Sequence, residues 1–468
     1  MKKLVLLILL APTLSMAQTD RCDCPAIFEE VVDNLEANYI ALPQMRGTER
    51  ETAYRKRVSA FRQKVDNVNC LDCTAFLQDF LSFFDDGHLF VIERPEYPDA
   101  DLAEFRQDML NNRKAPADLQ KELARQTARP DPHPAIGHWT DGKQEYIFLQ
   151  EDDHLNAYIL TPAADSIPAG TMKAHFRAEG NVLSGTYYNA DYVPRHLTGH
   201  IYKKGTVLNL LGGTYWNRLD GPPSREKETA HPNDPKLPTI TKLDDQNTLF
   251  VIPSFSADYQ GFIQIVLDNM ELLRSTTNLI FDIRGNTGGN AIYMAFLDAY
   301  ATRPKPASQG LVLASEATGT YFRSFAERSP EVYGPVAERI EANMGEIVDG
   351  PLYPERVFEP FESNIEHVAI LAGPACMSAS ESFILHSQSA STKVTVFGQP
   401  TGGVIDYTSV NMLRLENSGP QNLLFGYPTS TLHKEIPENG YNQTGIIPDV
   451  PIDDSVADPV QFIIDYFQ

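Results

Sequence analysis

From residue 248 onward the chain alternates short apolar runs with amphipathic stretches, and this alternation narrows the possible folds more than any other feature. The runs at 249–252, 279–283, 368–371 and 394–397 have the length of strands, while 259–273, 291–300 and 379–388 read as helices. Strands alternating with helices need crossover connections, which are right-handed, and the result is an α/β core with its sites at the strand C-termini. Two segments fall at such ends: the glycine-rich loop containing Gly288 and the turn containing Ser378.

The rest of the chain has other periods. Ile27, Val31, Leu35 and Tyr39 recur every four residues, as do Tyr54, Val58, Phe61 and Val65, then Phe76, Phe80 and Phe84, which predicts three helices. The third runs into Asp85-Asp86-Gly87-His88, with Gly87 expected as the residue that closes the helix. After the proline-rich stretch 130–134 the period becomes two, with strands expected at 146–149, 157–160, 172–176, 186–188 and 207–211. That pattern describes a small antiparallel β domain, with a partial barrel as its expected form. The expected organisation is a helical domain at 18–92, a linker at 93–134, the β domain at 135–220, a second linker at 221–238 and the α/β core at 239–468.

Residues 1–17 combine Lys2 and Lys3, an apolar run and Ser15-Met16-Ala17, the pattern of a secretory signal peptide. The mature protein is therefore expected to be soluble and exported, periplasmic or extracellular, and no apolar run is long enough to span a bilayer. Cys22, Cys24, Cys70 and Cys73 form two close pairs, an even set suited to disulfides in an oxidising compartment. Four cysteines allow three pairings, and because a bond within Cys22/Cys24 is sterically poor the two pairs are expected to bridge one another. Zinc is disfavoured because C-x-C with C-x-x-C lacks a repeated finger spacing, so no metal site is expected. A net charge of −23 argues against nucleic acid and anionic membrane surfaces as partners.

Ser378 lies in Ala375-Cys376-Met377-Ser378-Ala379-Ser380-Glu381, between an apolar run and a helix. A serine there has its hydroxyl beside unpaired backbone N–H groups, which suits an acyl-transfer nucleophile. The same residues also make an S-x-x-E capping box, a common device with no chemistry. Three other segments change the balance: Asp282-Ile283-Arg284-Gly285-Asn286-Thr287-Gly288-Gly289, Thr401-Gly402-Gly403 and Gly445-Ile446-Ile447-Pro448-Asp449. In this order the four resemble the D-x-R-x-N-x-G-G, S-A-S-E, T-x-G and G-I-x-P-D pattern of the C-terminal processing (tail-specific) serine peptidase family.

The resemblance runs from about Asn247 to the end and implies a ClpP/crotonase-like peptidase core; with the periods above, the expected fold is a multidomain α/β protein with an N-terminal helical bundle, a small antiparallel β domain and that core. The resemblance also implies a serine peptidase with a peptide or protein substrate and no cofactor. In the bacterial branch of the family a lysine follows T-x-G and acts as base, but Val404 stands there in this chain, and Lys393 begins a strand. The tricorn-like branch uses a histidine from an earlier helical region, and His88 in Asp86-Gly87-His88 resembles that segment. His386 lies too far along the helix that follows Ser378 to serve. Asp406, or else Glu438, is expected to hold the other imidazole nitrogen. The oxyanion hole is expected from the N–H of Ala379 with that of Gly288 or Gly289, while Thr401 and Gly402 would line the pocket and Asp282 and Arg284 would brace the turn. The alternative is an inactive scaffold that binds peptides or glycans without turnover.

Overall fold

The computed structural model describes residues 22–468 except 142, 164–166, 203–204, 206, 211–213, 221–235, 360–361, 443 and 454. The signal-peptide reading of 1–17 and most of the second linker therefore lie outside the described residues. The fold is a multidomain α/β arrangement built on a six-stranded sheet, a five-stranded sheet and a closed barrel.

The six-stranded sheet runs Thr239–Lys242, Asn247–Val251, Asn278–Asp282, His367–Ala372, Val394–Gly398 and Val450–Pro451. Its first pair is antiparallel and the rest are parallel. Residues 278–282 and 368–372 are buried throughout, as expected of strands covered on both faces. One covering layer is the helix Ala379–Ala390, whose Phe383 and Ile384 join a core with Phe250, Phe281 and Phe296. The expected helix at 291–300 forms instead as two short 3₁₀ turns, Ile292–Ala295 and Leu297–Ala299. The helix expected at 259–273 breaks at Asn269 into Tyr259–Asp268 and Met270–Ser275.

The second sheet is antiparallel and was not anticipated. It runs Phe90–Glu93, Leu423–Thr431, Ser308–Leu313 and Ile347–Tyr353, with Tyr407–Arg414 also paired to Leu423–Thr431. Its first strand begins two residues after His88 and pairs Phe90 with Gly426, so the N-terminal region is stitched directly into the C-terminal half. The helices Cys24–Asn38, Glu49–Val65 and Cys70–Leu81 follow the expected periods. Two of them start at side-chain caps, where Asp23 accepts from Ala26 N at 3.1 Å and Asn69 from Asp72 N at 3.0 Å. Their apolar faces do not close a separate core. Phe28, Leu35, Leu77 and Phe80 share one buried cluster with Tyr407, Leu415, Leu423, Phe425 and Tyr427.

Residues 93–134, expected as a linker, carry the helices Asp99–Asn111 and Pro116–Thr127. Their buried faces are narrow, with Met109 on one and Leu119 and Gln126 on the other, which is why the apolar period was too faint to read. Between Gly137 and Arg218 eight antiparallel strands close a barrel around Trp139, Tyr146, Phe148, Phe176 and Trp216. Closure adds three strands to the five expected, Gly137–Thr140, Pro194–Tyr202 and Thr214–Arg218, and leaves no free edge.

Two disulfides, Cys22–Cys70 and Cys24–Cys73, tie the first helix to the third. Each closes a loop of 48 or 49 residues, so each should contribute about 2–4 kcal/mol. Thermal melts with and without reductant should show a loss of that size, and an unchanged midpoint would contradict it.

Candidate active site

Ser378 caps the helix Ala379–Ala390 after the strand His367–Ala372 has ended at Gly373-Pro374. Its backbone lies at φ +56°, ψ −117°, a region that a non-glycine residue enters at a cost of about 1–3 kcal/mol. Several contacts hold it there. The Ser378 N–H donates to Val404 O at 3.1 Å and to Glu381 Oε2 at 3.0 Å. Glu381 is fully buried, and its carboxylate also accepts from Thr401 Oγ1 at 2.5 Å, Gly403 N at 2.8 Å and Val404 N at 2.9 Å. Burial pushes the Glu381 carboxyl up, while these four donors pull it down in part. What the sequence presents as a helix cap is thus the post that ties 401–404 to the Ser378 turn. The neighbouring Ser380 hydroxyl turns inward to the carbonyls of Asn286 and Met377. Cys376 donates to Ile283 O, and burial pushes its thiol up to about 12, so it does not compete as a nucleophile.

His88, 290 residues away in the chain, reaches the same point. Its Nε2 lies 3.0 Å from Ser378 Oγ and its Nδ1 lies 2.6 Å from the carbonyl oxygen of Tyr407. A carbonyl can only accept, so Nδ1 carries the proton and Nε2 turns its lone pair to the hydroxyl. Both residues are half-buried. Two features aim the ring. The strand Phe90–Glu93 lies beside Leu423–Thr431, which pairs Thr431 with Tyr407. In the turn itself Leu89 N donates to Asp86 O at 3.0 Å and His88 N to Asp86 Oδ1 at 2.9 Å.

The expected role of Gly87 as helix terminator belongs to Asp85, which takes the left-handed conformation at φ +52°. Gly87 is required for space: a Cβ there would sit 2.8 Å from both methyls of Val404. Val404, which stands where the bacterial branch has its lysine, therefore packs on the histidine's turn. Lys393 donates to Ile365 O at 2.5 Å, at the start of its strand and away from the C-terminal strand ends that carry Ser378. His386 lies 3.1 Å from Tyr293 Oη, and burial lowers it to about 4.

Neither acid expected behind the histidine bonds to its ring. The two oxygens of Asp406 accept from Tyr441 N at 2.6 Å and Asn442 N at 2.9 Å, and Glu438 is exposed. The main-chain carbonyl of Tyr407 takes the orienting position because Asp406, next in the chain, points back into the 441–442 loop. Thr401 and Gly402 also differ from expectation. Thr401 is buried between Glu381 and Ile446 N, and Gly402 N donates to Cys376 O at 2.8 Å, so both brace the turn from behind.

The three N–H groups expected at the oxyanion hole differ in their bonding. The N–H of Gly288 donates to Asn286 Oδ1 at 3.0 Å. Among the described residues the N–H groups of Ala379 and Gly289 have no acceptor. Gly288 serves by lacking a side chain, since a Cβ there would meet Ser378 Cβ at 2.9 Å and Ala379 N at 3.0 Å. Asn286, fully buried, ties the two loops by accepting from Gly288 and Phe255, donating to Ile252 O and receiving Met377 N on its carbonyl. Asp282 and Arg284 pair at 2.7 Å and brace the turn as expected. Sequence reasoning missed Asn286, Glu381 as more than a cap, and the Tyr407 carbonyl. The first two lie inside the quoted motifs, but the third has no signal in a sequence, because every residue has a carbonyl.

Residues 248–452 match the model of peptidase family S41. No curated protein matches the chain. Among solved structures, a lipoprotein from Streptococcus agalactiae is 13% identical, with 95% of this chain and 96% of that one covered and a TM-score of 0.40. Mature CPAF complexed with lactacystin is 13% identical over 92% and 94%, with a TM-score of 0.47. A photosystem II D1 C-terminal processing protease is 12% identical over 92% and 93%, with a TM-score of 0.37. The assignment rests on the matched segment, which contains the Asp282–Gly289, Ser378–Glu381, Thr401–Gly403 and Gly445–Asp449 motifs in family order. Over residues 248–452, therefore, the chain is similar to peptidase family S41, the tail-specific protease family.

Proposed function

We propose that this chain is an exported serine peptidase of the tricorn-like, Ser-His kind, hydrolysing peptide bonds in peptide or protein substrates through an acyl-enzyme on Ser378. The observation that carries the reading is the 3.0 Å approach of His88 Nε2 to Ser378 Oγ, with Nδ1 held by a carbonyl in the tautomer a base needs. As Oγ attacks the scissile carbonyl carbon, Nε2 takes its proton. The oxyanion forms beside the N–H groups of Ala379 and Gly289, and the imidazolium then gives its proton to the departing amine. Water attacks the acyl group in the second half, with His88 again taking and returning one proton. The chemistry calls on no metal or cofactor. In this reading the helical N-terminal region, the β barrel and the ClpP/crotonase-like core form one enzyme, with the base supplied by the first and the nucleophile by the last. The Cys22–Cys70 and Cys24–Cys73 bonds suit an oxidising, extracytoplasmic compartment.

A fluorophosphonate probe should label one residue, Ser378, and Ser378→Ala should abolish both labelling and peptide hydrolysis. The fold should survive, because the lost hydroxyl contributes at most about 1 kcal/mol as a cap. A folded protein that resists the probe and turns over no peptide would instead favour the binding scaffold.

A further inference from the structure

A Ser-His site generates a full positive charge on the imidazole in the transition state, yet among the described residues the ring of His88 meets no carboxylate. The Tyr407 carbonyl orients it but brings only a dipole. We propose that Asp86 is the positioning residue and counter-ion of His88, acting from within the histidine's own turn through the main chain and through space. This rests on the Ser378–His88 reading above and deepens it.

Asp86 is 6% exposed and both its oxygens are engaged, Oδ1 by the His88 N–H at 2.9 Å and Oδ2 by the Tyr39 hydroxyl at 2.9 Å. Two donors and no acceptor is the environment of an ionised carboxylate. Tyr39 is fully buried, with its ring edge-on to Phe84 at 5.2 Å and to Tyr407 at 5.7 Å, so the N-terminal helices fix the far side of the acid. Burial and the neighbouring Asp86 hold the Tyr39 hydroxyl well above its ordinary range, so it remains a donor.

The other charged groups around the turn fit the role less well. Asp406 is buried but has both oxygens on the N–H groups of Tyr441 and Asn442, and its charge, like burial, pushes Asp86 up. Glu438 is exposed, and Arg50 lies 3.6 Å from exposed Asp85. Tyr407, the remaining titratable neighbour, is pushed up by burial and by both aspartates, and its hydroxyl donates to Gln44 at 3.0 Å. Among the described acids around the turn, Asp86 is the one whose carboxylate bonds to the main chain of His88, and the charge of His88 is the strongest influence that opposes its burial. The function read for Asp-Gly-His is then threefold: the aspartate balances, the glycine makes room against Val404, and the histidine reacts.

The test is Asp86→Asn in the full chain, which keeps the shape and an acceptor but removes the charge. Activity is normalised to fluorophosphonate-reactive sites and followed against pH. The expected result is a roughly tenfold fall in kcat with KM unchanged, and an acid limb of kcat/KM displaced to lower pH by about one unit, because tenfold and one unit express the same lost charge interaction. Tyr39→Phe removes a donor that helps hold the buried Asp86 carboxyl ionised, so part of the charge is lost to protonation and the limb should move the same way by less. If Asp86→Asn fails to fold, that variant decides, and an unshifted limb in it overturns the proposal. A merely structural Asp86 would reduce the number of reactive sites while the survivors kept the wild-type limb and kcat, which also overturns it. His88→Ala is measured alongside: if it stays active, the Ser-His reading itself fails, whereas an inactive His88→Ala with an unshifted Asp86→Asn defeats only the role of Asp86.

Discussion

Replacing His88 by alanine should lower kcat by about 10⁴- to 10⁶-fold, the range seen when the base of a serine triad is removed. The size follows from what remains. Ser378 would keep its strained backbone, its two N–H contacts and the nearby Ala379 and Gly289 donors, but its hydroxyl would lose the acceptor that His88 Nε2 provides. No other described base can step in: His386 faces Tyr293, Lys393 faces Ile365 O, and Val404 occupies the lysine position of the bacterial branch. Substrate binding should change little, so KM should stay near that of the wild type, and the loss should appear in both kcat and kcat/KM. Steady-state hydrolysis of a peptide library hit by the wild type, together with fluorophosphonate labelling rates, would measure it. A His88→Ala protein with more than a hundredth of wild-type kcat would point to a base elsewhere in the chain.

Glu381→Gln should destabilise the fold by about 2–6 kcal/mol. Each oxygen of Glu381 accepts two donors: Oε1 takes Thr401 Oγ1 and Gly403 N, and Oε2 takes Ser378 N and Val404 N. An amide offers one oxygen, so whichever way it turns, two buried donors face an NH₂ group, at about 1–3 kcal/mol each. The pH dependence has a definite sign. Because burial raises the Glu381 carboxyl in the folded state, its contribution to stability is complete below the unfolded carboxylate value and declines as pH rises through the folded value. The gap between wild type and variant should therefore be wider in acid than at neutral pH, as read by denaturant unfolding at both. Fluorophosphonate labelling should slow in the folded variant, since the lost contacts are those that hold Ser378 at positive φ. Equal stability of the two proteins would mean that the post is not needed.

How much of this was legible in the chain depends on the range of the force involved. The strands at 279–283 and 368–371, the helix after Ser378 and the three N-terminal helices come from periodicity within ten or fifteen residues, and they form where the apolar spacing predicts. The Ser378 turn and the Asp-Gly-His segment were also visible, because a capping serine and a glycine between polar residues are local signals. Three things were decided only by tertiary structure. The strand Phe90–Glu93 joins Leu423–Thr431, and that non-local pairing, not any property of residues 85–89, carries His88 to Ser378. Among several acids in polar loops, packing turned Asp406 toward 441–442 and left the ring to a main-chain carbonyl, a group that no side-chain pattern can signal. Glu381 reads as a cap from either side of three residues, and becomes the hub of the site only once Thr401 to Val404 fold over it. The sequence by itself determined the elements with a strong apolar period and put Ser378 on a turn, since those follow from local burial and backbone preference; which partners meet at that serine was a matter of long-range packing, where each buried donor takes whatever acceptor the fold brings within hydrogen-bonding distance.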